Sequence, residues 1–465
     1  MPSFFVNRPL GEAVLILLVT LLAMAVIAVV SYRVPSKFLL AAGLVLAAFQ
    51  GFVPFSYISW FLLAGLALLP VAVRRSGGFG AFKNPWLALL TALALVQAAS
   101  ALWSPTIGAV AHSVLAVVVL GVFFLLWRVE SVSAASMTAP LLIAAPVYVL
   151  FAILVIWFRF DTSAEMNYLL SPLAPYLSEP GVELISDGRW LNVFDPAKSG
   201  GPMLNGNIAS LFLALVAVLY GWAATYASQW KRWSLAGVCA LAVLGAFATG
   251  SKTPLLLAVA TPVIALAVLA ASRGRQALTR VLVAAGAIIT GAVLAAAATG
   301  FLGAAADTLI TRSAYWQLAG IEFPAHWLLG LGFGGWELSM QEHWVLLYGE
   351  DYPYLGFPPH NFLLQAWADA GILHVALTAT IAALPIILMI RAIARAGERR
   401  LWSDTSLRDG LLLSGLIWAP AHALTDTTTF FGDNHTVPLY AALVALAVNR
   451  YRSVSSNTAR VRAKS

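Results

Sequence analysis

The sequence predicts an all-α fold: a polytopic transmembrane helical bundle of about 12–13 spans, with two long external loops carrying short interfacial helices. Two observations carry this. Hydrophobic residues make up 61% of the 465 and charged residues only 10%, with a mean hydropathy of +0.86, far from the balance of a water-soluble chain. Apolar runs of about 20 residues also recur from end to end, each long enough to cross a bilayer. The one cysteine, Cys239, excludes an intrachain disulfide.

In chain order the spans fall near 11–31, 38–53, 57–73, 85–103, 107–127, 139–158, 207–226, 234–249, 254–271, 281–300, 361–390, 410–424 and 436–449. The second is short, so the count is twelve or thirteen. The first is too long for a signal-peptide core and ends without a small-residue cleavage site, so it reads as a retained span. The organisation is therefore N-terminal helices (1–158), a first long loop (159–206), central helices (207–300), a second long loop (301–360), C-terminal helices (361–449) and a basic tail (450–465), all in one structural domain.

Charge sets the orientation. Of the 27 lysines and arginines, all but Arg8, Arg159, Arg189, Lys198, Lys252 and Arg312 fall in one alternating set of connections. That asymmetry makes the basic side, with the C-terminal tail, cytoplasmic. The net charge of +7 thus reports topology, and no nucleic-acid partner is implied. Both long loops come out external. The second carries Trp316, Trp327, Trp336 and Trp344, aromatic content suited to elements at the membrane interface. The cytoplasmic connections are too short for a nucleotide-binding domain.

The stretch PPHNFLLQAWADAG at 358–371 stands out. Two prolines bar a helix from upstream, so a helix starts just after them. His360 and Asn361 fall at its first turn, where unpaired N–H groups favour an anion. Asn361, Gln365 and Asp369 follow at i, i+4 and i+8, on one face. A start-cap followed by polar residues buried against other helices gives the same letters. An ionisable residue inside a span favours a site.

Around that stripe lie cations on the acidic side. Lys252 is wedged in a tight turn between Gly250 and Pro254. Arg312 shares a helical face with Trp316, and Arg189 lies in the first loop. Headgroup anchoring explains Lys198 and Arg159 well, and Lys252 less well. Cations beside a helix N-terminus suit a diphosphate. His422 and Asp426, four apart at the end of the next-to-last span, read as an accessory or purely structural pair. His112 and His374 look like satisfied core histidines; His326 and His343 are loop residues without an evident partner. GLGFGG at 330–335 matches G-x-G-x-x-G without a βαβ context and reads as a flexible turn. GAFATGSKT at 245–253 misses the P-loop spacing. No D-x-D, paired HxxxH or CxxC occurs, so no metal site and no cofactor are expected.

TGSKTPLLL at 249–257, TRSAYWQLAG at 311–320, GLGFG at 330–334 and HNFLLQAWADAGI at 360–372 together resemble the O-antigen ligase and Wzy-type polymerase superfamily, over about residues 205–390. The resemblance implies a GT-C-type glycosyltransferase of the bacterial inner membrane, with its active site on the periplasmic side. Such enzymes take a glycan from undecaprenyl diphosphate and pass it to an acceptor hydroxyl, either lipid A core or a growing glycan, without a tightly bound metal. By that analogy Arg312 binds the diphosphate and His360 is the base or acceptor-orienting group. Lys252 replaces the usual arginine, keeping the charge but losing the bidentate fork. Asn361, Gln365, Asp369, Trp316 and Arg189 complete the expected substrate-binding set. Ligase, polymerase and protein O-glycosyltransferase remain open. The alternative class is a lipid-linked-sugar flippase or secondary transporter, which would show discontinuous helices with ionisable groups near mid-span.

Overall fold

The computed structural model describes residues 10–49, 58–131, 134–174, 197–298, 300–349, 358–396, 401–425 and 434–462. Helix accounts for 83% of the structure, with no strand among the described residues. The helices are α1 (Leu10–Ser31), α2 (Ser36–Ala48), α3 (Trp60–Ala67), α4 (Leu69–Arg75), α5 (Pro85–Ser100), α6 (Ile107–Glu130), α7 (Ala134–Phe160), α8 (Thr162–Leu169), α9 (Gly206–Ala224), α10 (Gln229–Ala248), α11 (Lys252–Ala271), α12 (Arg275–Ala298), α13 (Phe301–His326), α14 (Gly335–Glu342), α15 (Trp344–Tyr348), α16 (Phe362–Ala396), α17 (Asp404–Ala423) and α18 (Val437–Arg462).

Every expected span falls on a helix, the third on the consecutive pair α3 and α4. Seven helices among the described residues are long and apolar enough to cross a membrane: α1, α6, α7, α9, α10, α11 and α16. α2 and α5 are apolar but shorter. The exposed surface agrees. α1 presents Leu15, Leu18, Leu22 and Val29 outward, and α12 presents Leu282, Val283 and Leu294. Continuous apolar faces of this kind are at home in hydrocarbon, not in water.

The chain forms two compact units. The first takes residues up to 251, apart from 103–105, together with 430–446. Its centre is α9, apolar on every side and buried on nearly every side, as such a helix must be. Aromatic side chains fill the space around it. Tyr148 meets Phe212 edge to face at 5.3 Å, and the Tyr148 hydroxyl donates to the Leu44 carbonyl at 3.2 Å. Small residues admit close approach: a Cβ on Gly43 would lie 2.2 Å from the Phe123 ring. At one end, Asn205 caps α9, Asn207 accepts from Ser251 at 2.7 Å, and Gly250, at φ +69°, packs on the Ala197 carbonyl. These contacts fix the turn that leads into α11.

The second unit holds 103–105, 252–429 and 447–465. Here α11 packs against α17, and α16 packs against both. Two findings differ from the sequence reading. α13 is one helix of 26 residues, where short interfacial elements were expected. α16 is not continuous: Ala370 leaves helical geometry and Gly371 takes φ +77°. The GLGFGG turn sits against that break and is packed, not loose. Leu331 N–H donates to the Ala368 carbonyl at 2.7 Å, and Ile372 N–H donates to the Trp327 carbonyl at 3.1 Å. The Trp367 indole donates to the His326 carbonyl at 3.3 Å. His374 Nδ1 pairs with the Ala366 carbonyl at 2.7 Å, so this histidine is a satisfied core residue as expected. A break inside an apolar helix frees backbone polar groups, and protein rather than water must satisfy them.

Glycine is required where the two segments touch. A Cβ on Gly371 would sit 1.9 Å from the Leu328 carbonyl oxygen, and one on Gly330 would sit 2.1 Å from that of Trp367. Both glycines have positive φ. Gly371→Ala should therefore destabilise the protein by at least ~2 kcal/mol, from left-handed strain plus the clash. Gly286→Ala in α12, where a Cβ meets nothing within 4 Å, should be neutral or slightly stabilising. Thermal unfolding of the two variants in detergent measures the difference.

Candidate functional site

The site is built on the last carbonyls of α17. A helix leaves its final C=O groups without intrahelical partners, and here two other segments supply donors to the carbonyls of Leu424 and Thr425, while a third meets the Thr425 hydroxyl. Arg312, from the middle of α13, donates to the Thr425 carbonyl in a short hydrogen bond. The Asn361 amide, at the start of α16, donates to the Leu424 carbonyl at 3.2 Å. The Thr253 hydroxyl, in the first turn of α11, lies 3.1 Å from the Thr425 hydroxyl, which itself donates to the His422 carbonyl at 2.8 Å. Segments around 253, 312 and 361, distant in sequence, thus converge on two consecutive residues.

Lys252 is half-buried as the first residue of α11, next to Thr253. A cation at the positive end of a helix dipole is electrostatically unfavourable by itself. It becomes favourable when an anion is shared between the ammonium and the N–H groups of that turn. The start of α16 offers a second helix N-terminus, and Arg312 a second cation. Among the described residues, Thr425 O is the one hydrogen-bond acceptor of the Arg312 guanidinium, which has five N–H donors to offer. The Lys252–Thr253 turn, the start of α16 and the Arg312 guanidinium thus meet at one helix end.

His360 stands immediately before Asn361, half-buried, with its ring against Tyr315 at a centroid distance of 5.4 Å and a tilt of 36°. Its φ is +48°, in the left-handed region that non-glycine residues seldom enter. Two prolines upstream and the Asn361 cap downstream hold it there. Asn361 Oδ1 accepts from the N–H groups of Leu363 and Leu364 at 2.9 and 3.2 Å, which is N-cap geometry.

Of the polar stripe, Gln365 donates to Asp369 Oδ1 at 2.7 Å, and Asp369 is buried just ahead of the break. Asn361 and the Gln365–Asp369 pair are therefore committed to capping and to each other, which is what the structural account of the stripe requires. Trp316 is exposed; Tyr315, one residue earlier, is the aromatic that touches His360. His422 is buried at the end of α17, under the carbonyls that receive Arg312 and Asn361. Asp426 and Arg189 lie outside the described residues.

Sequence reasoning missed Thr253, Tyr315 and Thr425, and it missed the partners of two histidines. Glu322 gathers His326 at 3.6 Å and His343 at 3.7 Å, and accepts a short hydrogen bond from Ser339. The i, i+4 spacing of Glu322 and His326 was readable; His343 comes from the turn between α14 and α15. No group of three or more His, Cys, Asp or Glu among the described residues is arranged to hold a metal ion.

No model of a known protein family matches the chain, and no curated protein does. The functional reading therefore rests on the residues and their geometry.

The dual use of Asn361 gives a direct test. Asn361→Ala should lower stability by about 1 kcal/mol through the lost cap. Asn361→Ser, which restores the cap oxygen but not the reach to Leu424, should recover most of that loss while leaving the anion locus looser. Thermal unfolding with and without added pyrophosphate separates the two effects.

Proposed function

We propose that the chain is a metal-independent membrane glycosyltransferase. It would transfer a glycan from undecaprenyl diphosphate to an acceptor hydroxyl on the periplasmic face of a bacterial inner membrane, as an O-antigen ligase or an O-antigen or exopolysaccharide polymerase. The observation that carries this reading is the convergence of the Lys252–Thr253 turn, Arg312 and the His360–Asn361 turn on the end of α17. Those segments contain three of the four motifs that resemble the ligase and polymerase superfamily. The reading keeps about 12–13 crossings, adding the shorter and more polar helices to the seven evident spans.

In this reading Arg312 and Lys252 hold the diphosphate, with the first turn of α11 contributing N–H groups; the N–H groups of Leu363 and Leu364 in α16 are taken by the Asn361 cap. The acceptor oxygen attacks the anomeric carbon and forms the new C–O bond. The bond from that carbon to the phosphate oxygen breaks, and the electron pair leaves with undecaprenyl diphosphate. The acceptor proton passes to the His360 imidazole. Fixed cations neutralise the charge developing on the departing diphosphate. Tyr315 and the left-handed backbone set the angle of the imidazole. The donor is already activated, so the reaction needs no nucleotide.

One observation favours a second reading. α16 is discontinuous, and Asp369 is buried at its break, a combination used by carriers that bind substrate at interrupted helices. A lipid-linked-sugar flippase or secondary transporter would exploit it. The glycosyltransferase reading is preferred because the cations and His360 gather at a helix end, outside the apolar stretch, where a lipid diphosphate would lie.

His360→Ala and Arg312→Ala should each reduce glycan transfer by at least about a hundredfold in membranes supplied with the lipid-linked donor, and Lys252→Arg should retain it. Transfer at near wild-type rate in both alanine variants would discard the assignment. A deletion strain then separates the classes. Single repeat units on the acceptor indicate a lost polymerase, and full-length glycan stranded on the carrier a lost ligase. Lipid-linked units trapped on the cytoplasmic leaflet indicate a lost flippase.

A further inference from the structure

The opposite end of α16 carries a second cationic locus. The apolar stretch Ile372–Ile390 is about 28 Å long at helical rise, close to the thickness of the hydrocarbon core. Arg391 follows at once and Arg395 one turn later, both exposed and on one face. This places both guanidinium groups at headgroup depth. Arg395 is held in position: it donates to the Tyr451 hydroxyl at 2.8 Å and to Ser455 Oγ at 3.1 Å, with its guanidinium carbon 5.1 Å from the centre of the Tyr451 ring. Tyr451 and Ser455 are themselves one turn apart on α18. Arg452 is exposed beside them.

The nearby acids are engaged elsewhere. Asp409 takes a two-pronged contact from Arg450, at 2.9 and 2.8 Å. Asp404 faces Arg408 at 3.8 Å. Glu398 lies outside the described residues. Trp402 is 83% exposed in the turn before α17, a position suited to an indole in the headgroup layer. The Arg395 hydrogen bond, helped by the charges of Arg395 and Arg391, holds the Tyr451 phenol below its ordinary pKa.

We propose that Arg391 and Arg395, with Tyr451 and Ser455, form a binding site for the phosphodiester headgroup of an anionic phospholipid. Arg395 is pre-oriented by two hydroxyls, which lowers the entropy lost on binding. Its remaining N–H donors, and the guanidinium of Arg391 one turn away on the same face, suit charge-assisted hydrogen bonds to phosphate oxygens. The site is separate from the glycan locus at the other end of α16 and does not depend on the transferase reading.

The test is thermal unfolding of the full-length protein in neutral detergent, titrated with phosphatidylglycerol, phosphatidylcholine or inorganic phosphate. Phosphatidylglycerol should raise the midpoint saturably, and the other two should not. The Arg391→Gln/Arg395→Gln double variant should bind phosphatidylglycerol roughly thirtyfold more weakly. Lys231→Gln/Arg232→Gln, two exposed cations at the start of α10, should bind as wild type does. If the Arg391/Arg395 variant does not fold, the salt dependence of the wild type decides: about 0.5 M salt should abolish the phosphatidylglycerol effect, because the contact is with exposed charge. An equal response to phosphatidylcholine, an undiminished response in the double variant, a salt-independent response, or an equal effect of inorganic phosphate would each overturn the proposal, the last in favour of a free-anion site.

Discussion

Everything at the candidate site depends on how the end of α17 is satisfied. Its terminal carbonyls lie where a helix ends in an apolar protein, and leaving them bare is costly. Arg312 and Asn361 complete them, while the Thr425 hydroxyl is taken up by the helix itself and by Thr253. Each of those contacts answers a local need of α17. Together they pull two positive helix starts and two cations to one negative helix end. The α17 dipole offsets part of that positive charge, but only about half an elementary charge of it. The remainder is positive, which is the electrostatic basis of the proposed reading.

The break in α16 serves the same geometry. Were the helix straight through Gly371, its first arm would share the axis of the second, and the start cap would move with it. The glycine turn at 330–335 holds the arms apart by replacing the lost backbone bonds. The orientation of Asn361 toward Leu424, and of His360 toward Tyr315, is thus set by backbone contacts on the far side of the arm, at Trp367 and Ala368.

Much of this was legible in the chain. The apolar runs, the start of α16 after Pro358–Pro359, the single face of Asn361, Gln365 and Asp369, and the core role of His374 follow from local period and turn chemistry. The break did not. Gly371 alone looks like a tolerated glycine in a long helix; it reads as a hinge only when Gly330, forty residues upstream, is known to lie against it. Tyr315 was passed over for Trp316 because spacing from Arg312 defines a face but not what the face meets. His326 and His343 seemed unpartnered because Glu322 reaches the second across a turn of chain that no periodicity encodes. The length of α13 was hidden by its polar residues, which suggested a loop.

His360 carries the strongest physical hint of chemistry. A position with φ near +48° is least costly for glycine, and asparagine also enters it readily. Histidine enters it at a cost of order 1 kcal/mol. The cap is made by Asn361, the chain direction by the prolines, and the ring packs against Tyr315. Under the proposed glycosyltransferase reading, what the imidazole adds at the head of α16 is a proton acceptor for the incoming hydroxyl.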